Sequence, residues 1–272
     1  MKMISTRISF IGGGNMAQAM IGGLIHSGQS PETIAVADPS EAQRQSLSSR
    51  FGVNCQESNG EAVRDADAVV LAVKPQVMSE VLTDLRDAMP DGAVVISVAA
   101  GITLSALARD LGDSIQAVRA MPNTPALYRA GISGLVANAR CDAKARALAE
   151  TVLKAAGEVV WVDEEQQMDA VTAVSGSGPA YFFAFTEHLA EAGVRAGLPP
   201  ETALKLARHT AIGAGRMLAE SEFDAAELRR RVTSPGGTTE AALRHFAGAK
   251  LAKMIEQAVA AAVKRGQELG AR

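Results

Sequence analysis

Cysteine is scarce in this chain: Cys55 and Cys141 are the 2 among 272 residues, far apart and in no CxxC pair. That excludes a disulfide framework and a thiolate zinc site, and it fits a reducing compartment. Histidine is nearly as rare, and His26, His188, His209 and His245 fall on separate segments without metal-ligand spacing. No metal centre is expected. Aromatic residues make up 4%, and neither sign of charge dominates, with 27 Lys and Arg against 30 Asp and Glu for a net charge of −3. So weak an acidic balance suits neither nucleic acid nor an anionic membrane, and neither is expected as a partner. An uninterrupted run of about 18 apolar residues is also missing. The opening Met1–Arg7 leads only into a short apolar run broken by glycines, so no leader or membrane span is expected and a cytoplasmic chain is. What remains is an ordinary globular composition, 47% hydrophobic, long enough for one large domain or two modest ones.

From Ile4 to about Trp161, short apolar runs alternate with longer polar-flanked segments. Ile8–Ile11, Ile34–Ala37, Ala68–Val73 and Ala93–Val98 are rich in Val and Ile and suit strands buried on both faces. Ser114–Ala120, Ile132–Ala137 and Val159–Val162 add three more, with helical stretches at Met16–Ser27, Ser40–Phe51, Gln76–Ala88 and Ala143–Ala156. This rhythm predicts a parallel sheet covered by helices, an α/β domain over residues 1–162. After Asp163 the strand signal ends, and Ala, Leu, Glu and Arg recur at helical spacing over Ala180–Ala196, Pro200–Ala219 and Ala249–Leu269. Residues 163–272 therefore read as an all-α C-terminal domain. Its Ala-rich, lightly polar helices predict a shared interface and an oligomer; a monomeric bundle with an Ala-rich core is the alternative.

Ile11-Gly12-Gly13-Gly14-Asn15-Met16-Ala17 follows the first predicted strand, opens the first helix and spells G-x-G-x-x-A. The first glycine permits a tight turn, the second lets backbone approach a pyrophosphate, and the small third residue lets helix pack on strand. Free N–H groups at the helix start supply the anion site. A glycine triplet alone also fits an ordinary turn, but at this junction of a repeating strand–helix chain it points to a Rossmann-type dinucleotide-binding domain. Asp38, where the second run ends, either accepts from ribose hydroxyls and repels a 2′-phosphate, or caps the next helix behind Pro39. Arg44, two turns on, is a candidate partner for a 2′-phosphate, so the cofactor is NADPH or NADH, with a lean to NADH. Ala72-Val73-Lys74-Pro75 and Val98-Ala99-Ala100 end two further runs at the carboxyl edge of the sheet, where ligands bind in open α/β folds. Lys74 is there a ligand contact or a solvated charge.

Four further segments exceed a generic dinucleotide fold: Met121-Pro122-Asn123-Thr124-Pro125, Ser175-Gly176-Ser177-Gly178-Pro179-Ala180-Tyr181, Ser221-Glu222, and Val232-Thr233-Ser234-Pro235-Gly236-Gly237-Thr238-Thr239. In the last, a glycine pair before a helix start exposes N–H groups at a positive dipole end, a ready carboxylate site. A plain helix cap with Thr and Glu in its first turn fits the same residues. With the opening glycines and Ala72–Pro75, these segments resemble the pyrroline-5-carboxylate reductase family, in order from about residue 8 to 265.

The resemblance implies reduction of 1-pyrroline-5-carboxylate, a cyclic imino acid, to L-proline by NAD(P)H, the last step of proline biosynthesis. It implies a homodimer through the C-terminal helices that can assemble further. Carried over by position, it implies cofactor contacts at Gly12, Gly13, Gly14, Asn15, Met16 and Ala17, at Asn59, at Ala72, Val73, Lys74 and Pro75, and at Val98, Ala99 and Ala100. Substrate contacts fall on Glu222, Thr238 and Thr239, with Ser234, Gly236 and Gly237 in the carboxylate loop. Thr239 matches the family's hydroxyl that hydrogen-bonds the ring nitrogen and is the expected catalytic group. Thr238 stands where some members have alanine, so its backbone N–H is the expected contact. Asp38 departs from the small polar residue that many members carry, which disfavours NADPH.

A protonated cyclic imine accepts hydride readily and needs little acid–base apparatus, in keeping with the lack of a histidine or paired carboxylate beside these motifs. Two rival readings have their own signals. A β-hydroxyacid dehydrogenase needs a lysine where Phe182 stands; a non-catalytic nicotinamide sensor has no use for the second anion loop. Tyr181, Phe182, Phe183 and Phe185 are expected in the helical core or its interface, and Trp161 in the seam between domains. His188 and His209 are expected to be structural. Arg229-Arg230-Arg231 reads as a solvated face or as a steering patch for anions.

Overall fold

The computed structural model describes residues 6–270; Met1–Ser5, on which part of the no-leader expectation rests, lie outside the described residues. The apolar runs of the first half become strands with helices between them. In chain order these are β1 (Ile8–Ile11), α1 (Asn15–His26), β2 (Ile34–Ala37), α2 (Glu41–Phe51), β3 (Asn54–Gln56), α3 (Asn59–Val63), β4 (Ala68–Leu71) and α4 (Met78–Leu85). Then come β5 (Val94–Ser97), α5 (Leu104–Leu111), β6 (Gln116–Met121), β7 (Gly131–Ala137), α6 (Ala143–Lys154) and β8 (Gly157–Trp161). They form one sheet in the order β3-β2-β1-β4-β5-β6-β7-β8, the Rossmann-type architecture. Strand alternation splits the apolar residues between two faces. Phe10, Val70, Ile96 and Val118 share a core with Met20 and Ile21 of α1 and Val152 of α6. Val69, Leu71 and Val95 share the other with Met78 and Leu82 of α4 and Leu107 of α5.

The expected all-parallel sheet needs correction. β1 through β6 are parallel neighbours, but β7 runs antiparallel to β6. The two are joined through a tight 3₁₀ turn, Thr124–Tyr128, shorter than the crossover of roughly a dozen residues that parallel strands need. β8, parallel to β7, closes the sheet as an edge strand of alternating exposure and is not buried on both faces. Trp161 packs at the edge of the α/β domain's own core. Its Nε1 donates to Glu150 Oε2 at 3.0 Å and the Arg146 guanidinium lies 5.0 Å above its ring, because β8 folds straight back along α6. β3 and α3 are short and carry too few apolar positions to show in the sequence. α5 is amphipathic through Leu104, Leu107 and Leu111 but only 8 residues long.

Past β8, no described residue lies in a strand. α7 (Met168–Val171) runs into a π turn at Thr172–Gly176, followed by α8 (Gly178–Arg195), α9 (Pro200–Glu220), α10 (Ala225–Arg231), α11 (Thr238–Gly248) and α12 (Leu251–Gly270). Among the described residues, those up to Gly176 and from Ala262 onward form one compact unit, and Ser177–Ala261 form a second. The second unit buries little beyond Ala203 and Ala207 of α9, while Phe182, Phe183, Leu204 and Ile255 are 71%, 67%, 59% and 54% exposed. Phe185 meets Phe246 at 6.5 Å between ring centres, yet it too is mostly exposed. The α8 aromatics therefore leave the chain's own core. No helix among the described residues is long and apolar enough to cross a membrane.

Candidate active site

Strand register builds the first half of the site. Ile11 lies opposite Ala37 and Leu71, and Leu71 opposite Ser97, so Gly12, Asp38, Ala72 and Val98 stand one residue beyond a common edge. Gly12 N donates to Ala37 O at 2.8 Å, Ala72 N to Ile11 O at 2.8 Å and Val98 N to Leu71 O at 3.1 Å. Gly12 has φ +94°, and a Cβ there would lie 2.8 Å from Ala72 O, so only glycine fits. Gly14, the residue before α1, faces open space and gives the helix no side-chain cap. Among the described residues, the N–H groups of Gly14, Asn15, Met16 and Ala17 have no protein acceptor, and the first turn of α1 holds no acid. Four open amides at a positive dipole end fit the pyrophosphate of a dinucleotide. Fully buried Ala17 lets the helix sit close to the sheet.

Asp38 completes this rim. Its Oδ2 accepts from Gly13 N and its Oδ1 from Ser40 N, both at 2.9 Å. The capping role falls to Ser40, whose Oγ accepts from Gln43 N. Gln18 and Gln43 side chains both donate to Gly13 O, which holds the loop from behind. Asn59 opens α3 beyond β3 and donates from Nδ2 to Asp84 Oδ2 at 2.9 Å, so its side chain is engaged within the protein. Lys74 is exposed just past β4 and precedes the 3₁₀ turn Pro75–Val77. A cleft of about 790 Å³ runs from Pro75 past Ala100 and Gly101 to Thr103.

Two structural features were not anticipated. Arg119, only 8% exposed, points from β6 to Glu165 Oε1 at 3.0 Å, and the same oxygen accepts from Leu104 N at 2.8 Å. The pair pins the end of the loop that follows Val98–Ala100. An arginine inside the apolar run Ser114–Ala120 is the signal, since a charge in a buried strand needs a partner. Buried Asn123 donates to Ser175 O at 3.1 Å and accepts from Ile132 N at 3.0 Å. Two of the sequence motifs are thus joined by a structural bridge.

The second loop belongs to the helical unit. Gly237 precedes α11 without a side-chain cap, and among the described residues the N–H groups of Thr238, Thr239 and Glu240 have no acceptor. Gly236, at φ +71°, donates its N–H to Glu240 Oε2 at 2.8 Å, and Gly237 N donates to Ser234 O at 3.0 Å. Glu240 ties down the loop while the first-turn amides stay open. Ser234, Gly236 and Thr238 are exposed and Thr239 is half-buried. Exposed Glu222 sits next to Ser221, whose Oγ accepts from Phe223 N at 3.1 Å. Arg230 and Arg231 are exposed and share one carboxylate partner. Both bind Glu227 at 2.7 Å, holding its carboxyl below the usual carboxylate range (Arg231 first, then Arg230), and Arg231 also stacks 3.5 Å from the Phe223 ring centre.

Other chemistry has little to stand on. Burial pushes both thiols, Cys55 and Cys141, above their ordinary range, which leaves them poor nucleophiles. Among the described residues no group of three or more His, Cys, Asp and Glu could hold a metal ion. Phe182 on α8 is exposed and offers no proton-handling group.

Residues 165–269 match the family described as pyrroline-5-carboxylate reductase dimerisation, and residues 7–101 the family described as NADP oxidoreductase coenzyme F420-dependent. A pyrroline-5-carboxylate reductase of Pseudomonas aeruginosa is 49% identical, covering 98% of each chain. The structure of a pyrroline-5-carboxylate reductase from Coxiella burnetii superposes with a TM-score of 0.95 at 42% identity, covering 98% of this chain and 99% of that one. A pyrroline carboxylate reductase of Plasmodium falciparum with NADP bound gives a TM-score of 0.84 at 28% identity, covering 98% of this chain and 99% of that one. With the glycine cradle, the second amide loop and identity along nearly the whole length, the chain belongs to the pyrroline-5-carboxylate reductase family.

Proposed function

We propose that this chain reduces 1-pyrroline-5-carboxylate to L-proline with NADPH or NADH, as the last step of proline biosynthesis. The observation that carries the reading is the presence of two helix starts with open amides, at Gly14–Ala17 and at Thr238–Glu240. One suits a pyrophosphate and the other a small carboxylate. The bound nicotinamide supplies the hydride. Gly12–Ala17, Asp38, Asn59, Ala72–Pro75 and Val98–Ala100 would hold the dinucleotide along the sheet edge. The open N–H of Thr238 and the Ser234 hydroxyl, set in place by the Gly236–Gly237 turn, receive the substrate carboxylate, beside Glu222. Thr239 directs its hydroxyl to the ring nitrogen, keeping the imine protonated and oriented while the adjoining carbon gains hydride. The protein's contribution is positioning and a fixed positive field, which substitutes for a strong acid or base.

In this reading residues 1–162 serve the cofactor and 163–272 serve substrate and dimerisation. The apolar side chains left open on α8, α9 and α12 support a homodimer through these helices, able to assemble further, and the reducing chemistry of two unpaired cysteines suits the cytoplasm. Oxidation of NADH or NADPH, followed by absorbance on adding 1-pyrroline-5-carboxylate, tests the activity. A flat trace with both cofactors overturns it.

A further inference from the structure

We propose that this chain selects NADH over NADPH, through Asp38 and through an arginine, Arg44, that is withheld from the cofactor. The inference rests on the nicotinamide reading above and deepens it. The Asp38 carboxylate is fixed by two backbone donors, Gly13 N from the phosphate loop and Ser40 N, each at 2.9 Å. Turning it aside breaks both bonds. Each oxygen keeps a lone pair for a ribose hydroxyl, at the end of the second strand where dinucleotide folds read the ribose. A 2′-phosphate brought there meets a negative charge that cannot swing away.

Acceptance of that phosphate needs a cation, and Arg44 stands nearby. Its Nη1 donates to Asp38 O at 2.8 Å and to Pro39 O at 3.1 Å, and its Nη2 lies 3.4 Å from Glu57 Oε2. The side chain is 18% exposed. The guanidinium therefore braces the Asp38–Pro39 strap, with the exposed carboxylate of Glu57 on its outer side. Reaching a phosphate would cost it two carbonyls and a carboxylate, and with Asp38 and Glu57 around one arginine the local balance stays negative. Like charges so placed separate two otherwise identical ligands by discrimination against one of them.

Calorimetric titration of the full chain without substrate tests this with NADH, NADPH, and the fragments AMP and 2′,5′-ADP. NADH is expected to bind about 10- to 100-fold tighter than NADPH, and AMP tighter than 2′,5′-ADP by a similar factor. Asp38→Ser should narrow or invert the ratio chiefly by tightening NADPH, and adding Glu57→Gln should tighten it further by releasing Arg44. Asp38→Asn, which keeps the shape, should shift the ratio in the same direction. Equal or tighter NADPH binding by the unaltered chain overturns the inference, as does an Asp38 variant that loses NADH without gaining NADPH. If neither dinucleotide binds, the cofactor reading itself fails and takes this inference with it.

Discussion

Two glycine-rich segments each lead into a helix, and they are built on opposite principles. Gly12–Gly14 is clamped: Gly12 presses on the Ala72 carbonyl, Gly13 is bound to Asp38, and the strands beneath are fully buried. Ser234–Gly237 stands in the open, where a side chain at Gly236 would meet nothing within 4 Å and the loop is tied by its own Glu240. The first needs glycine because backbone of another strand occupies the space. The second needs it only for the local turn. A preformed rim in one unit and a self-tied loop in the other suggest different sensitivities to the same kind of change.

Substitution should separate them. Gly12→Ala, at φ +94° and 2.8 Å from Ala72 O, is expected to cost roughly 2–4 kcal/mol of unfolding free energy in urea and to abolish dinucleotide binding. A near-wild-type midpoint would mean that the rim yields more than its packing indicates. Thr239→Ala should lower kcat roughly 10–1000-fold, the scale of one oriented hydrogen bond or proton-handling group, while cofactor affinity stays unchanged. Unaltered turnover would remove Thr239 from the mechanism. Glu240→Gln keeps an oxygen for Gly236 N but removes a negative charge beside the open amides of α11. The KM for the imino acid should fall about 2–5-fold, in line with charge effects at a helix end, and a rise would show that the acid serves the substrate. Gly236→Ala, strained at φ +71° but unobstructed, should cost only about 1 kcal/mol. A loss as large as that of Gly12→Ala would erase the contrast.

Much of this is legible in residue order. The G-x-G-x-x-A loop, the strand–helix rhythm and the change to helices after Asp163 are local patterns, and each forms within a few residues of its signal. The direction of β7 is implied by the short link from Met121 to Gly131 but hidden in the run Ile132–Ala137, which has the same composition as its parallel neighbours. The partners of Trp161, Glu150 and Arg146, are chosen by the packing of α6 and carry no signal in the sequence. Arg119 was visible as an oddity, but its partner lies 46 residues away and no periodicity links the two.

Residue order alone determined which segments become strand, helix or open-amide loop, because dihedral preference, capping and apolar period act over a single turn or pleat. Only the folded chain decided that Gly12, Asp38, Ala72 and Val98 share one edge, that Gly13 and Ser40 hold the Asp38 carboxylate, and that Arg44 is held by the Asp38 and Pro39 carbonyls. Those arrangements depend on strand register and on close packing between distant segments, and hydrogen bonds so short are set by position in space.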